Sequence, residues 1–246
     1  METLDIFSAG AAQAVVARLV RSFQLESSGV INGSYGAVHS LHSRILAGES
    51  VDVIVLTDTL IDELIQKNLV VVGSRMDLGA VGTGIAVRAN TPLPAVASLQ
   101  MLRDTLLASG KIICPDPAAA TAGKVLLKVL EQLGISKQLR SRLKYCASGY
   151  EAMAQLARGT GLRELGVMQM TEIIACGDIA LAGPFPAELQ MTATYSAGLA
   201  VHSKCPERAR EFIRRLTGER HALVSAGFGE RRVREPNNAA PAERAE

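Results

Sequence analysis

Tryptophan is absent from this 246-residue chain, and aromatic residues of every kind make up only 4% of it. A site that stacks rings on bases, as single-stranded nucleic-acid binders do, has little to draw on. Charge imbalance is also missing. The net charge is +2, with Lys and Arg scattered until the C-terminus, so no basic stripe marks a nucleic-acid face. No apolar run reaches the ~18 residues of a membrane span. The four cysteines, Cys114, Cys146, Cys176 and Cys205, form no C-x-x-C pair. That argues against zinc and gives no disulfide framework. Cys114 and Cys146 fall in apolar strand-like runs and read as small buried thiols. The His39-x-x-His42 spacing lacks nearby carboxylates or thiols to complete a metal set. No metal and no cofactor is therefore expected. A basic and then apolar leader is also lacking at the start. The sequence as given reads as cytoplasmic, or as periplasmic if an export signal was removed from it.

What is present is a core. Hydrophobic residues make up 48% of the chain, which argues against global disorder. The pattern is organised around Leu4–Gly10 and the run after it. A short apolar strand breaks at Ser8-Ala9-Gly10, and Ala12, Val15, Val16, Leu19, Val20 and Phe23 then recur at helical spacing. The same strand, small-residue turn and helix recur down the chain. Strands are expected at 30–35, 51–57, 111–116, 144–147 and 164–169. Helices are expected at 37–47, 59–67, 99–109, 121–133, 151–158, 170–175 and 206–216. Such alternation predicts an α/β fold with parallel sheets and right-handed crossovers. Two Gly- and Thr-containing strand stretches, 79–89 and 190–202, fall at the joins between two blocks and read as hinges. The expected lobes are residues 1–82 plus 193–230, and residues 83–192. From Arg231 the composition turns to charge, Pro, Asn and Ala, and 231–246 reads as a disordered tail.

A strand that ends in small residues at a helix N-terminus leaves backbone N–H groups pointing out of the sheet, where they and the helix dipole hold anions. Ligands in such folds sit at the carboxyl ends of strands. The candidate ligand-binding residues are therefore at those ends. Ser8, Ala9 and Gly10 follow the first strand; Tyr35, Gly36 and Ser40 follow the second; Thr57 ends the third. Thr121, Gly123 and Lys124 open the long helix of the second block, and Gln169 ends a late strand. Ser148-Gly149-Tyr150 forms a further turn. A Lys in a first helical turn opposes the dipole, and that mild cost favours a ligand role for Lys124. His39, whose ordinary pKa lies near neutrality, is the candidate catalytic base. Tyr35 or Glu172 stands behind it, although a first-turn acid such as Glu172 ordinarily only stabilises its helix. Arg88 on the first hinge could meet a carboxylate or face water.

Several stretches together carry a family resemblance: DIFSAGAA, RILAGESVDVIVLTDTLIDEL, KNLVVVGSR, PDPAAATAGKVLLKVLEQLGI, ELGVMQMTEI and PERAREFIRRLTGERHALVSAGFGE. The chain resembles the molybdate-binding type of solute-binding protein. The resemblance implies the two-lobe type II periplasmic-binding fold, an anion in the interlobe cleft and, for an exported protein, an ABC permease as partner. The family's oxyanion donors are not all matched. The serine expected after the first strand falls on Ala11, the serine cluster after the second is Gly36-Ala37-Val38-His39-Ser40, and the tyrosine expected at the late strand's end is Gln169. An anion other than molybdate is the implication. The chain is also similar to aconitate isomerases, which share the scaffold and interconvert cis- and trans-aconitate. Three readings stand open: a binding module for a small carboxylate or oxyanion, an isomerase moving an allylic proton, and a metabolite-sensing domain. The expected partner in each case is a small anionic ligand rather than nucleic acid or a membrane span.

Overall fold

A computed structural model describes residues 3–26 and 29–230; the tail expected to be disordered from 231 lies outside the described residues. Two five-stranded mixed sheets, each covered by helices, build two lobes. The first sheet begins with β1 (Thr3–Ala9), β2 (Val30–Gly36) and β3 (Val53–Thr57), each followed by a helix: α1 (Gly10–Glu26), α2 (Val38–Leu46) and α3 (Asp58–Gln66). These three strands are parallel, with β1 between β2 and β3. All five residues of β3 are buried, as expected of a strand covered on both faces.

β4 (Met76–Val81) lies on the first sheet and β5 (Thr83–Arg88) on the second, so the expected hinge over 79–89 is two strands parted at Gly82. The second lobe then takes α4 (Leu99–Ala108), β6 (Lys111–Pro115), α5 (Thr121–Gln132), α6 (Ser136–Leu139), β7 (Leu143–Cys146), α7 (Gly149–Arg158), β8 (Glu164–Gln169), α8 (Met170–Ile174) and β9 (Ile179–Pro184). Here β6 runs parallel to β7 and β8, while β5 runs antiparallel to β8 and β9. The chain returns to the first sheet through β10 (Ala193–Leu199), antiparallel to both β3 and β4. It closes with α9 (Pro206–Gly218) and α10 (Arg220–Ser225). The first sheet thus draws on 3–81 and 193–199, and the second on 83–184.

Of the second expected hinge, 190–202, only Ala193–Leu199 is a strand. Gln190 instead uses its side chain as a strand would use its backbone: it accepts from Thr83 N at 3.0 Å and donates to Thr83 O at 2.9 Å. One side-chain amide therefore ties the returning crossover to the outgoing one. Leu69–Gly73 likewise contributes only an isolated bridge, Val70 to Ala200.

A single apolar core fills the first lobe, and the second sheet has one core on each face. Polar groups fix the ends. Asp52, 2% exposed, accepts three hydrogen bonds: from Asp5 N at 2.8 Å, Ser203 Oγ at 2.7 Å and Lys204 N at 2.8 Å. It thereby joins β1 to the segment between β10 and α9. In the second lobe Glu164 is held by Arg88 at 2.7 Å and Lys111 at 2.9 Å. Burial raises the Glu164 carboxyl, but the hydrogen bonds and charges of Lys111 and Arg88 outweigh it and hold the group below its ordinary value. Arg88 is thereby engaged within its own lobe. No helix among the described residues is long and apolar enough to cross a membrane.

Candidate binding site between the lobes

Four helix N-termini, with that of the short α8 beside them, meet at one cavity of about 220 Å³. From the first lobe come Gly10 and Ala11 of α1 and Ala37 and Val38 of α2; from the second come Ala120 to Ala122 of α5 and Ser148 to Tyr150 of α7. Each helix follows a strand of a parallel set, so the sheets dictate the convergence: strand carboxyl ends and helix N-termini lie on the same edge. Small residues let these backbones approach. A Cβ on Gly123 would stand 2.3 Å from Pro115 O. Without one, α5 seats against the Pro115–Pro117 turn. Asp116 shapes that turn, its carboxylate accepting from Ala118 N at 2.7 Å and its carbonyl from Ala120 N at 2.9 Å.

The helix caps differ in a way that matters. Ser148 caps α7 through Glu151 N at 3.1 Å, and Glu151 returns a carboxylate to Ala147 N at 2.9 Å, a variant of the capping box. The N-caps of α2 and α5 are Ala37 and Ala120, which bring no side-chain acceptor. Alanine is among the poorest N-cap residues because it leaves first-turn N–H groups without a partner. Two poor caps face each other across one cavity; the backbone N–H of His39 in α2 reaches Ala119 O, and an anionic ligand would supply acceptors for the others.

The cavity wall adds phenols and one acid. Tyr35 and Tyr150 line it, as does Tyr195 of β10, whose oxygen is reached by the side chains of Thr121 and Gln169. Burial raises all three phenols; Tyr150 is pushed up to about 12, with Glu172, Cys176 and Tyr35 adding to the effect. All three therefore stay protonated and can donate. Gln169 Oε1 is buried without a partner. Among the described residues the lining holds no Lys, Arg or His, and its one carboxyl is Glu172. That group has no cationic partner in any ion pair among the described residues, and burial raises it to about 7 against a backbone hydrogen bond at Gln169 that lowers it.

Glu172 is held in place by missing side chains. A Cβ on Gly10 would lie 2.5 Å from Glu172 Oε1, and one on Gly149 would lie 2.2 Å from Oε2. The carboxyl thus sits between the first residues of α1 and α7, one from each lobe.

Of the residues marked by sequence, Ala9, Gly10, Tyr35, Gly36, Thr121, Ser148, Gly149, Tyr150, Gln169 and Glu172 line the cavity. The others lie elsewhere. Ser8 is fully buried in the sheet and donates to Ala9 O at 3.2 Å. The Thr57 hydroxyl pairs with that of Thr59 at 3.3 Å. Ser40 is exposed on the outside of α2, and Gly123 is packed behind the α5 terminus. His39 and Lys124 contact each other outside the lining, where α2 of one lobe meets α5 of the other. The His39 N–H also reaches Ala119 O at 3.4 Å. Burial, then Lys124 and His42, lower His39 below its ordinary value, against an opposite pull from Glu63. It is a neutral bridge at the cleft edge, without contact to the cavity interior. Sequence reading gave no role to Tyr195 and Gln13, both of which line the cavity.

Glu172 carries a pH signature. Its folded value of about 7 lies above the ordinary 4.5. Below about 4.5 both folded and unfolded chains hold the proton and the group costs nothing. Between the two values the unfolded chain ionises and the folded one does not, so stability falls as pH rises; the loss is complete above about 7. The gap corresponds to about 3 kcal/mol. Glu172→Gln is expected to remove this slope, so that the variant gains on the wild type by about that amount between pH 5 and pH 8. Denaturant melts of both proteins across that range check it; parallel curves would place Glu172 in water.

The family model for bacterial extracellular solute-binding proteins matches residues 4–229. The chain belongs to that family. Among solved structures, the periplasmic molybdate-binding protein of Azotobacter vinelandii superposes with a TM-score of 0.77 at 21% identity, over 93% of this chain and 100% of that one. The sulfate-binding protein SubI of Mycobacterium tuberculosis H37Rv gives 0.71 at 17%, over 93% and 86%. At such identities the likeness establishes the fold. In sequence, an aconitate isomerase from Pseudomonas sp is 26% identical over 180 residues, 73% of this chain and 67% of the relative. This solute-binding family member thus keeps the two-lobe architecture throughout.

Proposed function

We propose that the two lobes hold a small organic di- or tricarboxylate in the interlobe cavity. One observation carries the reading: four helix N-termini, two from each lobe, face one cavity, and two of them are capped by alanine. The donors lie on both walls, which suits an anion with carboxylates at both ends. The space of about 220 Å³ is several times the ~30 Å³ share of one water, generous for a five-atom oxyanion. Protonated, Glu172 can donate a hydrogen bond to a carboxylate of the ligand.

A thermal-shift screen tests this through linkage. Citrate, cis-aconitate or trans-aconitate is expected to raise the melting temperature saturably, while molybdate and sulfate leave it unchanged at equal ionic strength. Stabilisation by molybdate or sulfate alone would sink the carboxylate reading. A second reading, that the ligand is also converted, is favoured by the uncompensated carboxyl of Glu172 in the cavity wall and by the likeness to an aconitate isomerase.

A further inference from the structure

We propose that Glu172 is a catalytic residue that moves a proton to and from a carbon next to a carboxylate of the bound ligand. The proposal rests on the carboxylate reading of the same cavity and adds a reaction to it.

The placement is unusual for a structural acid. Glu172 is 6% exposed, lines the cavity, and has no ion-pair partner among the described residues. A capping acid, which Glu172 also is through the backbone N–H of Gln169, ordinarily lies in water at the first turn, because burying it without a cation is costly. Instead the fold keeps Gly10 and Gly149 free of side chains so that the carboxyl fits between two helix starts. The ionisable groups facing it are Tyr150 from α7 and Tyr195 from β10. Both remain protonated donors, so neither competes for the proton near neutrality. A base that gains and loses its proton near neutral pH suits proton transfer.

The step balances without a co-reactant. The Glu172 carboxylate takes the proton, the C–H bond breaks and an O–H bond forms on Glu172. The electron pair moves into the ligand's carboxylate, giving a dianionic enolate. That charge develops at the helix N-termini, which are preorganised to stabilise it. If the proton on Glu172 is replaced by one from solvent before it returns to the same carbon, the ligand exchanges hydrogen with solvent. For an unsaturated ligand, return to the far carbon of the allylic system shifts the double bond. Water exclusion on lobe closure strengthens each contact.

The test follows hydrogen–deuterium exchange and isomer formation of cis- and trans-aconitate by proton NMR in D2O, with binding measured by calorimetry on the same samples. Wild type is expected to bind and to exchange the methylene protons. Glu172→Gln, isosteric with the protonated acid, is expected to bind within a few-fold and to exchange ~10²–10⁴-fold more slowly. Glu172→Asp keeps the carboxyl but withdraws it by one methylene, and is expected to fall between the two. Binding by wild type without exchange would overturn the catalytic role and leave the binding function standing. Undiminished exchange in Glu172→Gln would overturn it as well. Failure of wild type to bind either isomer would overturn both proposals together.

Discussion

Gly149→Ala is expected to weaken ligand binding by about 100-fold or more, while the fold stays nearly as stable as before. Alanine is a better helix former than glycine, so the first residue of α7 tolerates it locally. The new Cβ would however stand 2.2 Å from Glu172 Oε2 and 2.5 Å from Oε1. On the other side Oε1 already takes the room that the missing Cβ of Gly10 leaves, 2.5 Å from where that atom would be. The carboxyl has one exit, into the cavity, where it occupies ligand space and presents its own charge to the helix N-termini. A 100-fold loss corresponds to about 2.7 kcal/mol of binding energy. Calorimetry with the ligand that emerges from the screen, beside a thermal melt, separates the two effects. A large drop in melting temperature with unchanged affinity would show that Gly149 serves packing alone.

Asp52→Ala is expected to have the largest effect on stability. Removing the carboxyl strands three donors at once: Asp5 N, Ser203 Oγ and Lys204 N. Leaving a fully buried donor unsatisfied costs about 1–3 kcal/mol; these three bonds are part-buried, so water recovers part of it and a loss of about 3–4 kcal/mol is expected. For a domain of this length that lowers the melting temperature by roughly 10 °C. Asp52→Asn keeps one acceptor oxygen and is expected to lose about half as much. The site lies at the far end of β1 and β3, away from the cavity, so ligand affinity per folded molecule should not change. A loss under 1 kcal/mol would show that water replaces the carboxyl.

The two-lobe α/β architecture was readable because alternation of apolar periods is a local signal. The strand ends Ala9, Gly36 and Gln169 and the helix start Thr121 follow from it, and all of them line the cavity. Which side chain of a helix start faces inward is a matter of phase, a rotation of about 100° per residue. On α2 the residue turned to the cavity is Val38, so His39 and Ser40 point past it. On α5 it is Thr121, and Lys124 reaches across to His39 outside the lining. Ser8 and Thr57 were chosen for their hydroxyls, but these bond to Ala9 O and to the Thr59 hydroxyl.

The sequence offers Glu172 only as a base standing behind His39, at a first-turn position where an acid ordinarily stabilises its helix. Its burial depends on Gly10 and Gly149, on helices distant in sequence, and no local pattern reveals that. The available signal was glycine as the first residue of two helices, a position where glycine brings no helical advantage. Tyr195 lay in a stretch read only as a hinge. Its phenol gains meaning because β10 carries it to Thr121 and Gln169 of the other lobe.

The most direct test is a backbone amide spectrum recorded during titration with trans-aconitate. The largest shifts are expected at Ala11, Val38, Ala122 and Tyr150, the first-turn amides of the four helices around the cavity. Saturation at all four together would show both lobes gripping one ligand. Shifts confined to one lobe, or centred on the separate apolar pocket near Arg88 and Leu162, would contradict the account.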